Sequence, residues 1–124
     1  MKTMALSLGV AIAVAACATT TSPTGRTQYV GAVSQEQLDQ LGEQAFAEAR
    51  AKTPISRDGR QNGYVSCVVD AIVAQLPPQW RRVRWEAVVF ENQEANACAL
   101  PGGKVGIYTG IFKVATNQDQ LAGV

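Results

Sequence analysis

The chain is 124 residues long, about the length of one domain, and 47% of its residues are hydrophobic and 17% charged. This composition is typical of a folded globular chain and excludes a disordered one. Its 11 basic residues nearly balance its 10 acidic ones. Because a nucleic-acid-binding surface needs a basic surplus, we expect no nucleic-acid partner.

The first feature in chain order is an apolar run that follows one positive charge. Residues 4–16 are mostly apolar, but the run is shorter than the roughly 20 residues that a membrane-spanning helix needs. The stretch fits a secretory leader instead, with small residues before the cleavage point. We therefore predict a signal peptide over residues 1–16.

A cysteine follows this leader directly. Val14-Ala15-Ala16-Cys17 resembles the bacterial lipobox, in which the cysteine receives lipid, and Ala18 resembles the outer-membrane sorting pattern. We predict lipidation at Cys17, a flexible tether over residues 17–33, and a periplasmic protein whose acyl chains anchor it to the outer membrane. The alternative is a plain signal peptide in which Cys17 has no role.

Two helices are predicted at the start of a structured domain over residues 34–124. Ser34-Gln35-Glu36-Gln37 has the form of a capping box, and apolar residues at helical spacing behind it predict a helix to about Lys52. A loop is expected over residues 54–63. A second apolar stripe from Tyr64 to Leu76 then predicts another helix, which two prolines end.

The last third of the chain predicts a small sheet. Residues 83–90, VRWEAVVF, alternate as a strand with one strongly apolar face. Two short apolar runs around Pro101-Gly102-Gly103 predict a hairpin. Thr116-Asn117-Gln118-Asp119 has the pattern of a helix cap, so we expect a helix to begin there with Leu121 and Val124 facing inward. This order of elements predicts an α+β fold, with helices packed on a small β-sheet that contains a hairpin.

Candidate catalytic residues are few, because the sequence contains no histidine. The absence excludes the usual Ser-His-Asp and Cys-His arrangements, which need an imidazole base, and a conventional catalytic zinc site within this chain. Cys98 has no base beside it, so we do not expect a cysteine hydrolase. Arg81, Arg82 and Arg84 are interpreted as a solvated basic corner, with contact to anionic lipid headgroups as the alternative.

Two cysteines remain in the structured domain once Cys17 is lipidated. Cys67 falls in the second predicted helix and Cys98 in the first arm of the hairpin, and paired thiols are common in exported proteins. We expect a Cys67–Cys98 disulfide that joins the hairpin to the helix, worth about 3 kcal/mol on a chain-entropy estimate. The alternative is two buried free thiols.

Linked motifs in the last third of the chain resemble one protein family. They are Asn96-Ala97-Cys98-Ala99-Leu100-Pro101-Gly102-Gly103, then Thr109-Gly110, then Asn117, Asp119, Leu121 and Ala122. Together with the strand before them, they resemble the HtpX/Oma-type zinc metallopeptidases, family forty-eight of the metallopeptidases, and most of all its bacterial periplasmic lipoprotein members. Cys98 stands where the family usually has phenylalanine.

This resemblance implies a zincin-like peptidase fold, zinc as the cofactor, and polypeptide substrates that are hydrolysed in envelope protein quality control. In the family the last motif runs into His-Glu-x-x-His. We therefore expect this chain to be the N-terminal portion of such an enzyme, without catalytic residues or zinc ligands of its own, and inactive by itself.

The resemblance also assigns a strand to substrate binding by β-augmentation, in which an extended peptide pairs with a sheet edge. The residues concerned are Asn96, Ala97, Cys98, Ala99, Leu100, Pro101, Gly102 and Gly103. The competing hypothesis is a non-catalytic outer-membrane lipoprotein that binds peptides or other partners.

Overall fold

The computed structural model describes residues 19–22, 24–29 and 33–124, so the predicted signal peptide and Cys17 lie outside the described residues. The chain divides into two units after Ala32. In the first unit, β1 (Thr19–Thr21) pairs antiparallel with β2 (Thr27–Tyr29). The sequence predicts no secondary structure in this segment, and these two short strands are a difference from that prediction.

In the second unit the first helix, α1, spans Gln35–Lys52 and confirms the predicted capping box. The Ser34 hydroxyl accepts a hydrogen bond from the Gln37 N–H at 3.2 Å, and the Gln37 side chain accepts one from the Ser34 N–H at 3.0 Å. These bonds satisfy backbone donors that the start of a helix otherwise leaves free. The helix ends at Thr53, whose extended backbone suits the proline after it.

The second helix, α2, spans Gly59–Ala74 and begins before the apolar stripe that predicts it. Asp58 caps this helix by accepting hydrogen bonds from the N–H groups of Arg60 and Gln61 at 2.8 and 3.3 Å. The prediction of a loop over residues 54–63 is therefore wrong for residues 59–63, which belong to α2. The polar cap, and not the first apolar residue, sets where the helix starts.

The sheet of this unit has three strands in the order β3-β5-β4. The remaining elements are α3 (Pro78–Arg81), β3 (Glu86–Phe90), β4 (Ala97–Leu100), β5 (Lys104–Tyr108), a 3-10 helix (Thr109–Lys113) and α4 (Gln118–Ala122). β4 and β5 form the predicted antiparallel hairpin, and β3 pairs with β5 in parallel. Helices packed on a small mixed sheet confirm the α+β prediction.

Helices cover both faces of this sheet. On the α1 face, Phe46 packs edge to face against Phe90, with 6.0 Å between the ring centroids. On the α2 face, Val65 and Val68 of α2 pack against Val89. The prediction of one apolar face for β3 is wrong, because a strand between two helical layers buries consecutive side chains; Val88, Val89 and Phe90 are 7%, 1% and 1% exposed.

The helix predicted to start at Thr116 is α4, and its cap is one residue later. The Asn117 side chain accepts a hydrogen bond from the Gln120 N–H at 2.9 Å, and the Gln120 side chain accepts one from the Thr116 N–H at 2.8 Å. Leu121 is buried as predicted, whereas Val124 is exposed and not inward-facing. Among the helices that the structure describes, none has the length and apolar character to cross a bilayer.

Candidate functional site

β4 lies at one edge of the sheet, and no described strand runs along its outer side. β3 lies at the other edge, where the segment after α1 partly covers it. There the Ser56 N–H donates to the Val89 carbonyl and the Glu91 N–H donates to the Pro54 carbonyl, both at 2.8 Å. The open edge of the sheet is therefore the strand that the family resemblance assigns to substrate binding.

The register of the hairpin determines which backbone groups of β4 point outward. Ala97 faces Ile107, and the Tyr108 N–H donates to the Asn96 carbonyl at 3.0 Å, so Ala97 and Ile107 form a non-hydrogen-bonded pair. In an antiparallel ladder the next residue of each strand then points its N–H and C=O groups at its partner. The outward groups of β4 consequently belong to Ala97 and Ala99.

One of these outward groups already has a partner on its own chain. The Ala97 N–H donates to the side-chain oxygen of Asn96 at 2.8 Å. Within the described residues, the Ala99 N–H and the carbonyls of Ala97 and Ala99 have no hydrogen-bond partner. They present one donor and two acceptors in the arrangement that an additional extended strand requires.

An apolar cavity of about 290 Å³ lies beside this edge, on the α2 face of the sheet. Ala97 and Ala99 border it from β4, and their small side chains leave it open. The opposite wall is built by α2, the segment just after it and α4, through residues that include Ile72, Leu76 and Leu121. The outward backbone groups thus lie next to a groove that accepts apolar side chains.

The rest of the predicted substrate segment forms a turn and not part of the edge. Gly102 and Gly103 have φ values of +81° and +76°, a conformation that glycine adopts without steric cost. The turn packs on α1, because a Cβ at Gly42 would overlap the Pro101 carbonyl oxygen. A Cβ at Gly103 would lie 2.7 Å from Val83. These residues fix the end of the hairpin, and the accessible edge is limited to residues 96–100.

The predicted Cys67–Cys98 disulfide is not formed. Both cysteines are free and exposed. Cys98 faces Gly106 across the hairpin, and a Cβ on Gly106 would be 3.0 Å from the Cys98 sulfur and 3.1 Å from the ring of Phe90. Cys98 therefore points to the α1 face. Cys67 belongs to α2, which covers the opposite face, so the sheet separates the two thiols.

The structure shows a cluster of charged residues on the α1 face that the sequence analysis does not predict. Lys104 is only 8% exposed, and its ammonium group is 2.8 Å from Glu86 and 3.1 Å from Glu43. Glu86 also binds Arg50 at 2.8 Å. The hydrogen bond from Lys104 lowers the pKa of Glu86 below its ordinary value, and the same bond raises the pKa of Lys104. This cluster joins α1 to β3 and β5.

The Lys104 cluster has a signal in the sequence that periodicity alone does not reveal. Lys104 and Glu86 occupy paired positions of parallel strands, and side chains at paired positions share a face of the sheet. The face is the one that also buries Val88 and Phe90. A lysine and a glutamate at such positions indicate an ion pair only after the pairing of β3 with β5 is known.

The Thr-Gly pair of the family motif holds the loop between β3 and β4. The Thr109 hydroxyl donates to the Asn92 carbonyl at 2.9 Å and accepts from the Asn92 N–H at 3.1 Å. Gly110 lies so close to this loop that a Cβ there would overlap the carbonyl oxygens of Gln93 and Glu94. The pair thereby sets where the chain enters β4.

The residues present do not fit a catalytic zinc ion. Zinc in peptidases is held by imidazole and carboxylate ligands, and the sequence has no histidine. Among the described residues, no three of the types His, Cys, Asp and Glu come together as a possible metal site. We therefore derive no catalytic step through a metal from these residues.

The fold and the site define an α+β domain with an open edge strand beside an apolar groove. The sequence model described as Peptidase family M48 matches residues 59–124, which is more than half of the chain, and the chain belongs to this family. It is also 38% identical over 61 residues to the mitochondrial metalloendopeptidase OMA1 of Schizosaccharomyces pombe. That match covers 49% of this chain and 18% of the yeast protein, so the chain spans under a fifth of this relative's length.

Proposed function

We propose that residues 33–124 form the substrate-binding part of a zinc metalloendopeptidase, and that β4 receives an extended polypeptide by β-augmentation. The observation that carries this proposal is the outward-facing Ala99 N–H, with the carbonyls of Ala97 and Ala99, on an open edge. Membership of peptidase family M48 supports the same proposal, because it implies that peptides are the ligand.

The geometry indicates how such a peptide would lie. A strand added to β4 would pair its backbone with the outward groups of Ala97 and Ala99, and alternate side chains would point to opposite faces of the sheet. Those on the α2 face would enter the groove of about 290 Å³ beside Leu76 and Leu121. The site therefore favours apolar side chains at every second position of the bound segment, with little preference in between.

The proposal extends to the whole protein and its location. In it, the histidine ligands of zinc come from residues outside these 124, since this sequence contains none, and these residues alone do not hydrolyse peptides. Cys17 carries the lipid that anchors the protein to the outer membrane, where it acts in the periplasm on misfolded envelope proteins. The lipobox-like Val14-Ala15-Ala16-Cys17 supports the anchor.

Amide hydrogen exchange of the full chain, followed by NMR, tests the edge directly. Without peptide, the Ala99 amide exchanges rapidly, while those of Cys98 and Leu100, which face β5, exchange slowly. Addition of carboxymethylated casein, an unfolded polypeptide, is expected to slow exchange at Ala99 by about ten-fold or more. Casein binding that leaves Ala99 exchange unchanged would contradict β-augmentation.

A matched pair of variants at one position provides the control. Ala99→Pro removes the outward N–H without removing a ladder bond to β5, and it should abolish casein binding. Ala99→Ser keeps the N–H and a small side chain, and it should bind as the wild type does. Equal binding by both variants would show that the groove holds the peptide without the edge.

The catalytic half of the proposal has a separate test. The protein purified from its own cells is analysed for intact mass, zinc content and chelator-sensitive cleavage of casein. We expect a mass larger than that of residues 17–124, about one zinc ion per molecule and cleavage that a chelator stops. A mass of residues 17–124 with lipid, casein binding and no cleavage would instead establish the non-catalytic peptide-binding lipoprotein.

A further inference from the structure

A basic, aromatic surface follows the second helix. It consists of Trp80, Arg81, Arg82 and Arg84, and we call it the Trp80–Arg84 patch. All four residues are exposed, including the large indole of Trp80, which is 37% exposed. None of the three guanidinium groups is within ion-pair distance of a carboxylate among the described residues.

The backbone of this patch is held in place by hydrogen bonds. The Trp80 carbonyl accepts from the indole N–H of Trp85 at 2.9 Å and from the Val83 N–H at 3.2 Å. The Trp80 N–H donates to the Pro77 carbonyl at 2.9 Å. Val83 and Trp85 also contact the hairpin turn, where a Cβ on Gly103 would meet both residues. The exposed side chains therefore extend from a fixed support.

The charge of the patch is local and not a property of the whole unit. Between Val33 and Val124 there are nine basic and ten acidic residues, so this unit has no cationic excess. Three of the nine basic residues nevertheless lie within four positions of the chain. Two of the other basic side chains, Arg50 and Lys104, are paired with Glu86. The patch is a small cationic site on a unit whose other charged residues are mostly acidic, six basic against ten acidic.

We propose that the Trp80–Arg84 patch docks the folded domain on an anionic lipid bilayer. Guanidinium groups near the surface are attracted to anionic headgroups, and tryptophan favours the boundary between headgroups and acyl chains. A nucleic-acid site would need a larger basic surface. This contact is separate from the β4 edge and from lipidation at Cys17, and it would orient the domain on the membrane.

Vesicle binding by the full chain carrying Cys17→Ala tests the proposal, because this variant cannot be lipidated. Binding to vesicles of phosphatidylglycerol and phosphatidylcholine is compared with binding to phosphatidylcholine alone. We expect Arg81→Glu/Arg82→Glu to weaken the phosphatidylglycerol-dependent part of binding by about ten-fold or more, and added salt to do the same. The N-terminal apolar run is common to all variants, so the difference between them isolates the patch.

The control is Arg57→Glu/Arg60→Glu, which makes the same change in net charge at exposed positions outside the patch. It should bind nearly as the parent does. A blue shift of tryptophan emission on phosphatidylglycerol vesicles should be present in the parent and lost in Trp80→Phe. Equal weakening by both double variants, or binding that is the same on phosphatidylcholine alone, would overturn the proposal, whatever the outcome of the casein experiments.

Discussion

The carbonyl oxygen of Pro101 occupies the place where a side chain on Gly42 would begin. Gly42 is a buried position in the middle of α1, and Pro101 is the first residue of the turn between β4 and β5. The contact brings the backbone of a helix against the backbone of a turn with no side chain between them. The position of the hairpin relative to α1 therefore depends on this glycine.

Replacement of Gly42 by alanine should destabilise the protein, although alanine is the better helix former. We expect the free energy of unfolding to fall by about 1–3 kcal/mol, because the added methyl group meets backbone that has no space to move. Gly63→Ala is the matched control, since Gly63 also lies inside a helix but has nothing within 4 Å of its Cβ position. The free energy of unfolding of Gly63→Ala, measured with urea, should rise by about 0.5–1 kcal/mol. Equal stabilisation by both changes would refute the packing argument.

Removal of the ammonium group of Lys104 should also lower stability. Lys104→Met keeps most of the aliphatic chain but leaves Glu86 without its principal partner, and we expect a loss of about 1–3 kcal/mol in urea unfolding at neutral pH. Lys52→Met is the control. Lys52 pairs with Glu48 at 3.4 Å, with both side chains at least 70% exposed, so the change should stay within about 0.5 kcal/mol.

The ion pair of Lys104 with Glu86 makes the free energy of unfolding depend on pH. Because Lys104 lowers the pKa of Glu86 in the folded state, the fold favours the charged carboxylate. This contribution is present above the ordinary carboxyl range of about 4 and is lost as the pH falls through the lowered pKa. The raised pKa of Lys104 acts oppositely, and its contribution is lost only in strong alkali. Urea midpoints measured from about pH 7 to pH 2.5 should fall less steeply in Lys104→Met than in the wild type, and parallel curves would contradict this assignment.

A substitution at Thr109 tests how the loop between β3 and β4 is anchored. Thr109→Val is nearly isosteric but removes both hydrogen bonds to Asn92, and we expect a loss of about 1–3 kcal/mol in the free energy of unfolding. Thr53→Val is the control, because its backbone is extended and its hydroxyl makes no hydrogen bond among the described residues. In amide exchange, the loop between β3 and β4 should open more readily in Thr109→Val only. An unchanged loop would mean that Gly110 alone holds it.

Local patterns in the sequence predict most of the elements of the second unit. The capping box at Ser34 and the Pro-Gly-Gly turn correspond to local hydrogen bonds and φ angles, so a short stretch of sequence contains the necessary information. The early start of α2 is different, because Asp58 looks like any polar loop residue until its side chain is seen to cap the helix. Short capping interactions of this kind are weak signals in a single sequence.

The sheet is harder to predict because its central strand is not adjacent to β3 in the chain. The hairpin places β4 at the edge and β5 in the centre, and the register of the strand pairs determines which side chains share a face. This register is not contained in any single stretch of the sequence. It places Cys98 on the α1 face, away from Cys67, and Lys104 beside Glu86. Counting cysteines or charges along the chain does not provide this three-dimensional information, whereas the assignment of residues 96–100 to one strand comes directly from the motif.

The hydrogen bond between the Asn96 side chain and the Ala97 N–H has a consequence for solubility. An open edge can pair with the same edge of another molecule, which is a common route to aggregation. Asn96 occupies one of the outward donors of β4, so a second copy must first displace this side chain. Asn96→Ala should therefore form thioflavin-positive aggregates faster than the wild type under gentle agitation, whereas equal rates would mean that another feature protects the edge.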